Sequence, residues 1–549
     1  MPKLPAHPSL AQYRKQAKEL VRAVQARNVE AFDTLRRWHP RFSNATDDQF
    51  ARTALADAQL ALARAHAFPS WPQFAAHLET LHTLRLLEDP STPAELRDPV
   101  SLFLEFASVE RHGWHGSGNL DQANLILSRY PHVAAASIHT AAVLADEPTL
   151  RAFLTQKSES TSTLATAPGG PYNWDPLTYL CFSRYLRLDP TRSEAFVRTA
   201  RALLEAGASA NVCWYDTIDN PPRRVPETAI YGAAGLAQSL GLTRLLLEYG
   251  ADPNDEETPY HVPETGNNTV LQILLESGRC NERSLATILA RKADWHDEKG
   301  LALVLAHGAN PNYFTNWKVT PFQHAIRRDN SLTAIEKLLD HGADPDIRNN
   351  FDHRNAFEMA AYHGRGDLLD LFAARGFTAR YDQPFDPLAA ACARADRASA
   401  DILLADIPLL RNQLLRIAGS LLGRFACAGN LEGVSLLLDL GVSPDALWPE
   451  GDPYWELTRN SAALHVAAWR ARHDIVRELI ARGASVNATD VRGRTPLQLA
   501  IRACTDSYWK SSRQPDSVAA LLAAGATTQG IQLPTGYDAI DDLLSESNP

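Results

Sequence analysis

The sequence predicts an all-α fold: a solenoid of about ten helix-turn-helix units with long inserted loops, preceded by a small helical cap. Two observations predict it. A phrase that ends an apolar helix face on glycine recurs eight times, and a second phrase that opens a helix on Thr/Asp-Pro recurs ahead of it. Composition agrees, because 45% apolar and 21% charged residues suit a chain that buries a core and are too apolar for disorder.

The closing phrase reads LLEAGASAN at 203–211, LLLEYGADPN at 245–254, LVLAHGANPN at 303–312 and KLLDHGADPD at 337–346. It returns as LFAARGFTAR at 371–380, LLLDLGVSPD at 436–445, ELIARGASVN at 478–487 and ALLAAGATTQ at 520–529. Its apolar residues share one helix face. Gly207, Gly250, Gly308, Gly342, Gly376, Gly441, Gly483 and Gly525 then stop the helix, since the first residue past a helix often turns left-handed. The Pro and Asn that follow favour an extended segment and a turn.

The opening phrase is TPFQHA at 320–325, TPLQLA at 495–500 and DPLAAA at 386–391, with DPLTYL at 175–180 and AALHVAA at 462–468 as degenerate copies. Thr or Asp caps the helix, and Pro in its first turn gives up a donor that had no partner. Together the two phrases resemble the ankyrin-repeat family, whose unit of about 33 residues carries TPLHxA and a Gly-Ala-Asp-x-Asn tail. Gly308 to Gly342 and Gly342 to Gly376 are each 34 residues. The other intervals are 43, 58, 65, 42 and 42, which place a degenerate unit at 386–406 and the remaining excess in loops. The solenoid is assigned to 86–530. The resemblance implies that His139 and His465 hydrogen-bond across neighbouring turns, and that partners bind along the groove of finger tips and first helices.

Residues 1–85 read as two or three further helices. With FPSWP at 68–72 they resemble a helical module found ahead of ankyrin repeats in bacterial proteins, and a solenoid end needs such a cap with a polar outer face. Residues 531–549 read as a tail. Arg far outnumbers Lys, which points to a GC-rich, bacterial genome.

Several functional classes are disfavoured. A net charge of −10 argues against a nucleic-acid partner, which needs a basic stripe. No run of about 18 apolar residues spans a membrane, and the N-terminal stretch lacks the apolar segment of a signal peptide. The six cysteines form no CxxC pair and fit a reducing cytoplasm. There is no P-loop, dinucleotide fingerprint or GxSxG elbow, so no cofactor and no catalytic residue are expected, and the reading leans away from an enzyme.

Function is expected where the period breaks. The departures are 155–175, 212–228, 255–268, 445–461 and 503–517, and they are rich in aromatics, prolines and acids. Trp174, Trp214, Tyr215, Tyr260, His261, Trp448, Tyr454, Trp455, Tyr508 and Trp509 are candidate contacts for a protein partner. By the resemblance, finger residues Tyr313, Phe314, Trp317 and Arg348 to Phe351 face the groove. The alternative is a metal-dependent or small-ligand enzyme using His, Asp and Glu of the loops. Its candidates are His261, Glu264, His296 and Asp297, if 255–264 and 294–298 meet; His112 and His115 form another local cluster. Asp294 or Asp297 is more simply the cap of the helix that follows.

Overall fold

The eight closing glycines all take φ between +81° and +101°, the left-handed region. At Gly308 and Gly342 nothing lies within 4 Å of a Cβ, so the backbone conformation alone demands glycine there. Capping follows the opening phrase. Thr320 and Thr495 form capping boxes with Gln323 and Gln498, and Asp175 caps through the Thr178 amide. Asp386 departs from this pattern: it sits inside its helix and accepts from the Gln383 amide.

The computed structural model describes residues 4–546 except 6–7, 44, 46–49, 51–52, 90–92, 94–97, 113–114, 117, 156–160, 220–221, 508, 510–511 and 532. The chain divides into two compact units, Met1–Trp295 with Ala306–Gly308, and His296–Leu305 with Ala309–Pro549. Among the described residues no helix is long and apolar enough to cross a membrane.

The first unit begins with helices Leu10–Gln25, Val29–Trp38, Leu55–Ala65 and Trp71–Glu88. Val24, Phe32, Leu35, Phe42 and Phe50 form one small core, while Tyr13, Phe74 and Leu78 form another with Phe68 and Trp71 of FPSWP packed on it. Arg129 pairs with Glu88 at 3.1 Å and ties the last of these helices to the first repeat. Helix pairs then follow: Pro99–Ala107 with Asp121–Arg129, Ile138–Val143 with Glu147–Thr155, and Pro176–Cys181 with Ser193–Glu205. A π-helical turn, Tyr231–Leu236, precedes Leu240–Glu248.

The departure at 255–268 is a helix rather than a loop. Asp255 caps Glu257–His261 through the Thr258 amide, Thr269–Glu276 is its partner helix, and Gly278 closes the pair at φ +64°. The long Gly250–Gly308 interval therefore holds an additional helix pair, which a degenerate tail (ESGRCN) concealed.

In the second unit the pairs are Pro321–Arg327 with Leu332–Asp340, Ala356–Tyr362 with Gly366–Ala374, and Asp386–Ala393 with Arg397–Asp406. Beyond Leu409–Arg416 come Ala418–Ala428 with Leu431–Asp439, Ala463–Trp469 with His473–Ala481, and Pro496–Asp506 with Asp516–Ala523.

The all-α expectation needs one correction. Two inserted loops are antiparallel hairpins, β1 (Cys213–Asp219) with β2 (Pro222–Thr228) and β3 (Leu447–Trp448) with β4 (Ser461–Ala462). The strand formers Trp214, Tyr215, Thr217 and Ile218 suit a strand here, and the helix period of the surrounding repeats masks them.

The tail asparagine has a physical role that spacing alone does not show. Asn312 donates to the Gly342 carbonyl at 2.8 Å and accepts from the Asp344 amide at 2.9 Å. Asn211 does the same with Gly250 and Asp252, and Asn487 with Gly525 and Thr527. Each tail thereby fixes the register of the next. Replacing Asn312 with Ala removes two such bonds and is expected to lower the stability of the second unit by about 1–2 kcal/mol, read by urea denaturation; an unchanged midpoint refutes the register role.

Candidate functional site

Each unit carries one candidate site, built by an inserted hairpin. In the first unit, the two-residue period of β1 and β2 turns Trp214 and Asp216 to the same side as Val225 and Glu227, with Trp214 opposite Glu227 and Asp216 opposite Val225. Trp214 is 5% exposed and packs on Trp174 and Phe182 at centroid distances of 5.1 and 5.7 Å. This anchor brings the two carboxylates to His115. His115 Nδ1 lies 3.7 Å from Glu227 and 3.4 Å from the Tyr231 hydroxyl, and its Nε2 lies 3.9 Å from Asp216. His112 hydrogen-bonds the other Asp216 oxygen at 2.9 Å.

Tyr231 opens the π-helical turn. A Cβ on Gly232 would stand 2.7 Å from the Cys181 carbonyl, and one on Gly235 would stand 2.6 Å from the Tyr231 ring. Beside the cluster is a cavity of about 620 Å³ lined also by Arg187, Glu257, Tyr260, His261 and Glu264. Burial, reinforced by Glu257 and Asp216, pushes the Glu227 carboxyl up to about 8. Burial also lowers His115, outweighing its acidic neighbours. At His261 burial is itself outweighed: bonds to Glu257 and Glu264, both 3.2 Å, raise it to about 9.

In the second unit the 445–461 segment docks β3 on the Ala418–Ala428 helix, with Trp448 buried at 3% exposure. Trp455 lies under the Arg470 guanidinium at 3.5 Å, and the Trp469 indole donates to the Trp455 carbonyl at 2.5 Å. A cleft of about 280 Å³ results. Its walls include Arg327, Phe351, Arg354, His363, Arg424 and Asp452. Arg354 pairs with Asp352 at 3.3 Å and stacks on Tyr362. Asp329 accepts from Arg365, Arg470 and Arg472. Glu450 accepts from Ser420, and Asp452 from the Tyr454 amide. The Arg424 guanidinium has no hydrogen bond or close ion pair among the described residues. Burial and the adjacent Arg354 lower its pKa.

Burial and then the charges of Arg424, Arg327, Arg354 and Arg365 hold His363 well below the ordinary histidine value. A depressed histidine stabilises the fold above its unfolded pKa of about 6.5, and that contribution is lost as the pH falls toward the folded value. Between about pH 7 and about pH 5 the native chain is therefore expected to lose more stability than a His363→Asn variant, as melting curves would show. Parallel curves refute this.

The aromatic candidates separate into three groups by burial. Trp174, Trp214, Trp448 and Trp455 are all under 9% exposed, so their expected place on a contact surface is corrected: they anchor the loops. Trp509 packs between Trp455 and Trp469, while Tyr508 lies outside the described residues. Tyr215 and Phe351 stand out, at 43% and 64% exposure. Tyr260, Tyr313, Trp317 and Tyr454 are half-buried, with Arg291 over Tyr260 and Arg328 over Tyr454. His139 and His465 reach the carbonyls of Ala167 and Ala488 at 2.8 and 3.0 Å, the cross-turn bonds the resemblance implies.

The proposed metal set is divided. His261 and Glu264 belong to the first unit, whereas His296 and Asp297 belong to the second, where His296 packs on Trp455 and Asp297 caps Gly300. Among the described residues the set that places three ligand atoms within 4.8 Å is His115, Asp216 and Glu227. Asp216 and Glu227 share the strand face of Trp214 and Val225, so no apolar–polar alternation reveals them in the sequence. Arg424 and His363 carry no sequence signal, since both lie in ordinary repeat helices or their ends.

Comparison with known proteins agrees with this architecture. The family model of ankyrin repeats (many copies) matches residues 304–360 and 452–500. Those two segments, in the second unit but for Ala306–Gly308, are similar to ankyrin repeats. It is 31% identical over 143 residues to an ankyrin repeat protein of Fowlpox virus (strain NVSL). That match takes in 24% of this chain and 41% of the viral protein, less than half its length. Among solved structures it is similar to the human ASB11 ankyrin repeat domain, at 21% identity and TM-score 0.20, over 44% of this chain and 98% of that one. The ankyrin repeat domain of Bcl-3, a member of the IkappaB family, is similar at 20% identity and TM-score 0.19, over 42% and 96%.

Proposed function

We propose that this chain is a protein-interaction scaffold whose second unit takes an acidic segment of a partner protein, seating a carboxylate in the cleft between Arg327, Arg354 and Arg424. The observation that carries this reading is Arg424. Its guanidinium lines the cleft half-buried, with no hydrogen-bonded partner among the described residues, and an incoming carboxylate supplies a charged acceptor there. Phe351, exposed at the cleft edge beneath Arg327, offers an aromatic contact of the kind that dominates interfaces. Tyr313 and Trp317 extend that surface along the neighbouring finger. The six free cysteines support a reducing, cytoplasmic setting, and residues 1–85 serve as the cap of the solenoid.

The test is binding of the full chain to an array of acidic, neutral and basic peptides. Acidic peptides are expected to bind selectively, and Arg424→Gln to weaken them about tenfold or more, the worth of one hydrogen bond to a charged group. Equal binding of neutral peptides, or an unchanged affinity in Arg424→Gln, sinks the proposal.

A further inference from the structure

We propose that His115, Asp216 and Glu227 form a site for a divalent transition-metal ion on the first unit. The three side chains come from segments about 100 residues apart, yet one ligand atom from each lies within 4.8 Å of the other two. Bonds of about 2.0–2.2 Å separate two ligands of one ion by at most about 4.4 Å, so small side-chain shifts bring the set to bonding distance. One imidazole with two carboxylates is a donor set that suits zinc and manganese.

Two buried polar atoms of the cluster have no hydrogen-bond partner among the described residues. His115 is 7% exposed and Glu227 3%, and neither His115 Nε2 nor Glu227 Oε2 has a hydrogen-bond partner among the described residues. Buried polar atoms are rarely left so, and an unassigned ion is one of the recognised reasons. The surroundings are those of a metal site rather than of an ion pair. His112 takes one oxygen of Asp216 and leaves the other facing His115, while the Tyr231 hydroxyl sits at His115 Nδ1, the outer contacts that orient metal ligands. Tyr231 is held there by a π-helical turn, a form concentrated at functional sites. The cavity opens the cluster to an external oxygen ligand. This inference does not depend on the acidic-peptide reading, which concerns the other unit.

The experiment is titration of the chelator-treated full chain with Zn²⁺ and Co²⁺, by calorimetry and absorption. One equivalent is expected to bind and to raise the melting temperature. Co²⁺ is expected to show the ligand-field bands of nitrogen and oxygen ligands, without the charge-transfer band of a thiolate. His115→Gln and Glu227→Gln are expected to weaken binding at least tenfold while His261→Gln does not. Absence of binding, a thiolate band from one of the six cysteines, or equal affinity in Glu227→Gln overturns the proposal. Should a variant not fold, the Co²⁺ spectrum of the native chain decides alone.

Discussion

Replacing Asp329 with Ala is expected to cost the second unit about 3–5 kcal/mol, the usual effect of breaking a buried ion network by removing one partner. Asp329 stands at φ +55° just past the Pro321–Arg327 helix. One carboxylate oxygen accepts from Arg365 at 3.1 Å, and the other from Arg470 and Arg472 at 3.1 and 3.0 Å. Arg365 keeps its two bonds to Asp367, at 2.8 and 2.7 Å, whereas Arg470, 8% exposed, is left with no carboxylate among the described residues. Arg470 and Arg472 also reach the Cys427 carbonyl, and Arg470 covers Trp455. The loss therefore spreads from the network to the docked segment and to the acidic-peptide cleft. Guanidinium denaturation of Asp329→Ala beside Asp329→Asn gives the measurement. Asn keeps the shape and loses the charge, and is expected to lie between the two. A shift below about 1 kcal/mol, the scale of an exposed pair, shows that the three arginines find water instead.

Gly419→Ala is the second large effect. A Cβ there would stand 1.8 Å from the Leu447 carbonyl oxygen, and one on Gly423 would stand 2.8 Å from the Trp448 ring. Because the obstacle at Gly419 is backbone, no rotamer change relieves it, and β3 must lift from the Ala418–Ala428 helix. Overpacking typically costs about 1–3 kcal/mol, and here it also undoes the wall of the cleft. The variant is expected to show red-shifted tryptophan emission, as Trp448 and Trp455 meet water, and faster proteolysis in 445–461. Gly441→Ala is the control: its site is open and only its φ of +94° is lost, at about 1 kcal/mol. Equal effects of the two substitutions argue that backbone conformation, and not docking, is what Gly419 provides.

The repeat was legible because its chemistry is local. A cap, a first-turn proline, an apolar helix face and a left-handed glycine all act within about a dozen residues, and the tail asparagine acts on its neighbour. The hairpin over 213–228 was less legible, since its strands show no apolar–polar alternation and are flanked by helices. The tryptophans of the departures read as contacts, and burial then made most of them anchors: Trp214 needs Trp174 and Phe182 to be hidden, and those residues lie more than 30 positions away.

The sequence by itself determined the helical repeat, its caps and the left-handed glycines that end it, since those are preferences of single residues and short spans. Only the tertiary structure decided which loop aromatics face water, that Asp329 gathers arginines from two other repeats, and that His115 stands beside Asp216 and Glu227. Those are matters of distance between remote segments, and a side chain's burial or charge environment depends on what folds against it.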